Sequence, residues 1–433
     1  MSARVSLVAG LACVMCVVPG FGLSFEDDPE VVLPDNADVR RFMKGRVLAP
    51  KNEVLDSELE QVFKRGGRSG RVKYEVRTQN GHFYLLFLNE VSPRNPERDF
   101  PVFGAGSYIV KRRLEDGEFV QLKVFLRTDP RFFVRLFPDG DRSRMDVYAA
   151  GERLYDDVVV AAGFEQLLFA PFSRIVEMTS AIVDWSLLLP DVRPENYTEV
   201  RTMVERARAA LSSLPDAEDG AMDEDGKLVF IENLVLQEGQ PGFNCSGFAK
   251  WICDGIAYER TGSYLSIEKL KEKHFDYRGH RWSARREDER DPYFGLDWSR
   301  NLAVSLLRLE HPRRELHPES ADVRDVRYTR YVEDVGFPVD DLSRILYTLA
   351  VDEPGHFYIG SVNTEFGAEP VLRQHVHVAV LFPYFDESGR FSITVLERNV
   401  ETDIDSLAER YPGSYVHLVR VEADEAFQPP RIE

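Results

Sequence analysis

Cysteine is nearly absent from this chain of 433 residues: there are four, and two of them, Cys13 and Cys16, sit in the apolar N-terminal stretch. That scarcity excludes a disulfide-stapled scaffold and a multi-cysteine zinc or iron–sulfur module. Positive charge is also short. Lys and Arg number 54 against 73 Asp and Glu, for a formal net charge of -19. Nucleic acid and anionic lipid surfaces recruit basic patches, so neither is an expected partner. After residue 23 no apolar run is long enough to span a bilayer, and no internal repeat or low-complexity tract interrupts the text. What remains is a globular composition in a chain long enough for two or three domains.

The N-terminus carries an address. "MSARVSLVAGLACVMCVVPGFG" has one cation at Arg4, an apolar run from Val5 to Val18, then Pro19 with small residues at Gly20 and Gly22. It reads as a secretory signal peptide over residues 1–22, so the mature chain is expected to be exported, to the periplasm or the cell exterior. A membrane contact is expected only if that segment is retained. Removing it leaves two thiols, Cys245 and Cys253. On one helix, eight residues apart, they would stand about 12 Å from each other. A disulfide needs Cα atoms within about 7 Å. Two unpaired thiols in an exported chain require a reason.

Residues 23–69 read as a polar lead-in with a helical stretch at Leu55 to Arg65. From Gly70 the texture becomes that of strands: "RVKYEVRT", "HFYLLFLNEV", "GSYIVKRRL", "FVQLKVFLRT", "FFVRLF" and "MDVYAA", with turn signals at "EDGE" and "PDGD". This alternation predicts a mainly antiparallel β domain over residues 70–194, a scaffold or binding module without gathered catalytic residue types. A helix follows in "TEVRTMVERARAALSSL", with Val200, Met203, Val204, Ala207 and Leu211 on one face. Asp223, Asp225, Gly226, Leu228 and Glu232 fall at calcium-loop positions, but Ala221 occupies the first, so the stretch reads as an acidic turn into a strand. Residues 257–350 form a long charged connection with helices at Ile267 to Lys273 and Val339 to Leu349.

The chemistry concentrates in "NCSGFAKWICDG". Asn244 is a good N-cap, Phe248, Trp251, Ile252 and Ile256 make the apolar stripe, and Gly255 is a natural stop. The packed face is thus supplied without Cys245, which falls in the first turn. There the unpaired N–H groups and the positive helix end favour a thiolate. A thiolate nucleophile wants an imidazole. Of nine histidines, two fall in "RQHVHVAVLFPYFDESGRFSITVLERN", which reads as a hairpin around "DESG". His375 and His377 are expected to share a face of its first strand, and Glu397 and Asn399 a face of its second. Folded about Glu387, the hairpin sets His377 opposite Glu397; folded about Ser388, opposite Asn399. A histidine beside a carboxylate or amide is the oriented base that a Cys–His pair needs.

These residues resemble a family. "NCSGFAKW" is similar to the nucleophile helix of NlpC-type cell-wall peptidases, whose motif reads Asp-Cys-Ser-Gly-Phe. "HVAVLFP…ITVLERN" resembles the His and Glu/Asn strands of CHAP amidohydrolases, a sister group in the papain-like superfamily. The chain follows the family order, with a Cys on a helix, a His on a strand and a polar orienter one strand later. It departs in having Asn244 before the cysteine and a longer Cys-to-His interval, which makes residues 257–350 an insertion within a hydrolase domain spanning 195–433. The resemblance implies an α+β fold with a papain-like domain behind the β domain. It also implies thioester chemistry on an amide with neither metal nor cofactor. Cys245 would be the nucleophile, His377 the base, His375 its competitor for that role, and Glu397 or Asn399 the orienter. Gln240, five residues before the cysteine, is the analogous oxyanion donor. The implied function is a cysteine amidohydrolase or endopeptidase acting on peptidoglycan or another peptide amide. The alternatives are an acyltransferase or transglutaminase-like enzyme with the same residues, or an inactive envelope binding protein.

Overall fold

The computed structural model describes residues 33–64, 70–90, 100, 103–274, 291–366 and 372–432. The expected signal peptide, residues 1–22, lies outside them. Among the described residues no helix is long and apolar enough to cross a membrane. The described residues mix helices with two large antiparallel sheets and one small hairpin.

Three short helices lead in: α1 (Ala37–Phe42), α2 (Lys44–Leu48) and α3 (Lys51–Asp56). An eight-stranded sheet follows, with every strand paired to its sequence neighbour: β1 (Glu60–Lys64), β2 (Arg71–Gln79), β3 (His82–Asn89), β4 (Tyr108–Arg113), β5 (Phe119–Phe125), β6 (Phe133–Asp139), β7 (Arg142–Ala149) and β8 (Glu152–Val160). Helices α4 (Phe164–Phe169), α5 (Phe172–Thr179) and α6 (Trp185–Leu188) complete this half.

The lead-in differs from its expected role. Leu33, Val39, Met43, Val47 and Val54 are buried in the core of the sheet. Arg40, buried, donates Nε to Asn36 Oδ1 at 2.8 Å and Nη2 to Ala170 O at 2.9 Å, tying α1 to the end of α4. The helix expected over Leu55 to Arg65 is a strand, β1, from Glu60. Pairing with β2 along Glu60↔Glu75 to Lys64↔Arg71 decides it against a weak local pattern.

The second half begins with α7 (Thr198–Leu211), whose five predicted apolar residues are all buried. The acidic stretch is a tight turn between β9 (Ala221–Met222) and β10 (Leu228–Val229), with Asp223 Oδ1 accepting from the Asp225 and Lys227 N–H groups. Next come α8 (Cys245–Thr261), α9 (Ile267–Leu270), α10 (Phe294–Glu310), β11 (Phe337–Pro338), α11 (Leu342–Asp352), β12 (His356–Phe366), β13 (Leu372–Phe385), β14 (Phe391–Glu397), β15 (Val400–Thr402), α12 (Ile404–Arg410) and β16 (Tyr415–Glu422). The six-stranded sheet runs β11-β16-β12-β13-β14-β15.

Helices cover both faces of that sheet. Val378, Val380, Phe382, Leu396 and Val419 pack with α8 and α10, while Ala379, Leu381, Val395 and Val416 pack with α11 and Leu407 of α12. Stretch 257–350, read above as an insertion, supplies α10 to the core, with Trp298, Leu302, Ala303 and Leu306 buried there. The two halves meet through Tyr347, whose hydroxyl donates to Leu187 O at 2.5 Å and whose ring joins the first core.

Candidate active site

Helix α8 presents Cys245 at its first position. Asn244 caps it, its Oδ1 accepting the Gly247 N–H at 2.8 Å. Gly247 is required by contact: a Cβ there would meet Gly220 O at 1.9 Å. The helix does not stop at Gly255 but runs on to a left-handed Gly262 with φ 73°. Gly255 instead lets the C-terminal segment lie against the helix, where a Cβ would meet Phe427 at 2.5 Å. The indole N–H of Trp298 donates to Ser246 O at 2.9 Å, fixing the first turn from α10. The N–H groups of Cys245 and Ser246 belong to that first turn and have no acceptor within the helix.

Strand β13 carries His377, the expected base. Its ladder to β14 pairs Val380 with Leu396 and Phe385 with Phe391, the register centred on Ser388. Extended by three residues, that register would set His377 opposite Asn399. The chain turns first: Glu397 pairs with Val400 across a two-residue turn at Arg398 and Asn399, with Arg398 at φ 52°. Asn399 therefore leaves the site and donates Nδ2 to Leu214 O at 3.1 Å. Glu397, on the same face and two residues back, becomes the residue diagonal to His377. Its Oε2 stands 3.7 Å from His377 Nε2, ion-pair range but longer than a hydrogen bond.

Helix α12 closes the group. Arg410 donates Nη2 to Glu397 Oε1 at 2.6 Å and also to Oε2. Tyr411, the next residue, stacks on the His377 ring with centroids 5.6 Å apart and planes 20° from parallel. The imidazole is thus held on one flat side and faces a carboxylate at its edge.

The electrostatics follow from this packing. Burial pushes the Cys245 thiol up, but the hydrogen-bonding interaction with His377, its ring charge, the Val378 N–H and the charge of Arg398 outweigh it and bring the thiol below its ordinary value. Burial pushes His377 down, yet Cys245 and Glu397 overturn that and raise it to about 9. Glu397 is lifted by burial and lowered more by His377 and Arg410, ending below the usual carboxylate range. Such a group can hold a thiolate beside an imidazolium near neutral pH. Cys253, fully buried on the same helix, has its thiol pushed far up by burial.

His375 does not share this face. A β-bulge shifts the register between Val362↔His377 and Asn363↔His375, so Val376 is extra and the side-chain alternation is reset. His375 turns under α10, where its Cβ would lie 3.1 Å from a Cβ on Gly295, and its Nδ1 contacts Ser361 Oγ at 2.8 Å. Burial, together with the charges of His417 and Arg300, holds its pKa well below the ordinary value. Gln240 is exposed in the loop before Asn244. The glutamine that this loop uses is Gln237, buried, whose Nε2 donates to Val229 O and Gly242 O while its Oε1 accepts the Gly242 N–H.

Sequence reasoning missed Arg410, Tyr411 and Trp298. Only the helix end at "ERYPG" signalled a cation in the last turn of a helix; nothing pointed it toward Glu397. As for metal ligation, Glu319, Glu333 and Asp334 bring carboxylates together among the described residues. Arg324 and Arg300 already pair with them, at 2.5, 3.1 and 2.8 Å. A cavity of about 570 Å³ lies elsewhere, lined by Phe172, Val176, Trp185 and Leu189 in the first half.

Residues 29–187 match a family model described as a domain of unknown function, DUF8515. That stretch holds the eight-stranded sheet and its covering helices and ends before α7, so it contains none of Cys245, His377 and Glu397. No curated protein and no solved structure matches the chain.

Proposed function

We propose that the chain is an exported cysteine amidohydrolase acting through Cys245, His377 and Glu397 on peptide amide bonds, with cell-wall peptide as the substrate class. The observation that carries the reading is the meeting of a thiol at a capped helix N-terminus with an imidazole that faces a carboxylate across a strand end. The order of helix, strand and next strand is also that of the papain-like enzymes resembled by "NCSGF" and "HVAV".

In this mechanism the Cys245 thiolate attacks the amide carbonyl carbon and an S–C bond forms. The oxyanion is met by the first-turn N–H groups of α8. As the C–N bond breaks, the His377 imidazolium gives its proton to the leaving amine. Water then attacks the thioester, His377 takes its proton, and the carboxylic acid leaves while the thiolate is restored. Glu397 faces the ring's Nε2 from 3.7 Å, which leaves Nδ1 for the sulfur.

The test is release of new amino groups from purified peptidoglycan fragments by the full chain, followed by mass spectrometry of the products. Cleavage abolished by Cys245→Ala and retained by Cys253→Ala supports the reading. No cleavage of peptidoglycan or of simple peptide amides by the wild type would remove it.

A further inference from the structure

We propose that the eight-stranded sheet, on the face away from its core, binds a small phosphate monoester through Lys123 of β5 and Arg135 of β6; nothing in this rests on the nucleophile reading. Strand alternation sets the site out. Leu122 and Val124, Val134 and Leu136, and Met145 and Val147 enter the core of the sheet, so Lys123, Arg135 and Tyr148 belong to its other face. The ladders put Lys123 opposite Arg135 and Phe133 opposite Tyr148. Both cations lie beside the Phe133 ring, whose centroid is 3.7 Å from Lys123 Nζ and 5.1 Å from Arg135 Cζ. That ring in turn stacks on Tyr148 with centroids 4.4 Å apart.

These two cations lack what others on the same sheet have. Lys73 pairs with Glu60 at 3.1 Å and Glu75 at 3.2 Å, and Arg144 pairs with Asp139 at 2.9 Å and with Asp157. Among the described residues neither Lys123 nor Arg135 makes an ion pair, and Arg135 Nε is buried without a hydrogen-bond partner. Asp146, the register partner of Arg135, accepts the Asp157 N–H at 3.1 Å instead and lies 3.9 Å from Arg153. Burial and the charge of Arg135 push Lys123 down to about 8, as expected of a cation packed without its counterion. The aromatic rings soften that penalty but do not neutralise the charge. In a chain of net charge -19, two uncompensated cations in register select an anion. The charge count gives its class. A carboxylate brings one negative charge, whereas a phosphate monoester brings about -1.5 to -2 at pH 7, with oxygens for both the ammonium and the guanidinium fork. The half-buried Tyr148 ring, 5.0 Å from Arg135 Cζ, offers a flat apolar support for the organic part of the ester. The net charge of the chain repels polyanions, so the fit is to a small ligand.

The experiment is titration calorimetry of the full chain at pH 8 with phenyl phosphate, and with phenyl sulfate as a monoanion of the same shape. Phenyl phosphate is expected to bind about tenfold tighter than phenyl sulfate or better. Lys123→Gln and Arg135→Gln should each weaken it about tenfold or more. Lys73→Gln, on a cation that already has its acids, should leave the Kd unchanged. Because a bound dianion favours the charged ammonium, binding to the wild type should take up protons, seen as a heat that differs between buffers of different ionisation enthalpy. Lys123→Arg keeps the charge and removes that titration, so it should bind without the proton uptake; it also decides the matter if Lys123→Gln fails to fold. No binding of phenyl phosphate by the wild type overturns the proposal. Equal affinity for the sulfate, a Kd unmoved by both glutamine variants, or proton uptake that persists in Lys123→Arg overturns it as well.

Discussion

His375 and His377 stand two residues apart on β13, and the regions on its two sides treat them in opposite ways. Behind the strand, under α10, His375 joins a sealed polar network. Ser361 contacts it, and near it buried Arg300 pairs with Asp322 at 2.7 Å and Asp334 at 2.8 Å, with His417 3.4 Å from Asp322. Among the described residues no thiol joins that network, and burial, with the charges of His417 and Arg300, holds the His375 pKa well below its ordinary value. At the open edge, where β14 ends, His377 has a thiol and a carboxylate for neighbours and is driven toward the charged form. One residue type thus takes two states because one bulged residue sends the rings to opposite faces. The proposed chemistry lies where the ladder ends and backbone and side chains are left for other partners.

The comparison can be broken in steps. The largest effect is expected from His377→Ala, which should slow low-pH alkylation of Cys245 and any amide cleavage by about 10²–10⁴. The same variant has a stability signature. A folded pKa of about 9 against an ordinary 6.5 means that the His377 contribution is full below pH 6.5 and is lost as pH rises through 9. Denaturant melts across that window should show the decline in the wild type and not in the variant. Next is His375→Ala, expected to cost about 2–3 kcal/mol of folding stability through a buried void and an unpartnered Ser361. The alkylation profile of Cys245 should be unchanged in protein that remains folded. An equal loss of thiol reactivity in both variants would erase the distinction between the faces.

Glu397→Gln should be milder, about thirtyfold in cleavage, or roughly 2 kcal/mol, since it removes the charge opposite the imidazolium and the partner of Arg410. Asn399→Ala should be the smallest. It loses one part-buried hydrogen bond to Leu214 O, worth about 1 kcal/mol of stability, with less than about a twofold change in rate. The reverse order, with Asn399 more sensitive than Glu397, would mean that the turn at Arg398 takes another arrangement in solution.

The elements with strong local patterns were legible: α7 with its five buried apolar residues, the cap at Asn244, the hairpin around "DESG" and the strands β2 to β7. Cys245 stood out because the stripe of α8 is complete without it. What could not be read was set by distant pairing. β1 and β8 are strands through their ladder partners and have weak patterns of their own. The bulge at Val376 depends on how β12 meets β13, so the expected common face of His375 and His377 could not be corrected from the text. The choice between Glu397 and Asn399 hung on where β14 stops. Residues Arg410 and Tyr411 reach the site only because α12 folds back beside it.

The central claim is that Cys245 is an activated thiol, and its sharpest control lies on the same helix. Iodoacetamide labelling of the folded chain across pH 4 to 9, with the modified cysteine located by mass spectrometry, compares the two directly. The account predicts rapid labelling of Cys245 well below an ordinary thiol pKa of about 8.5, with Cys253 silent until the protein unfolds. Labelling of Cys245 only above that pKa, or no faster than that of Cys253, would contradict it.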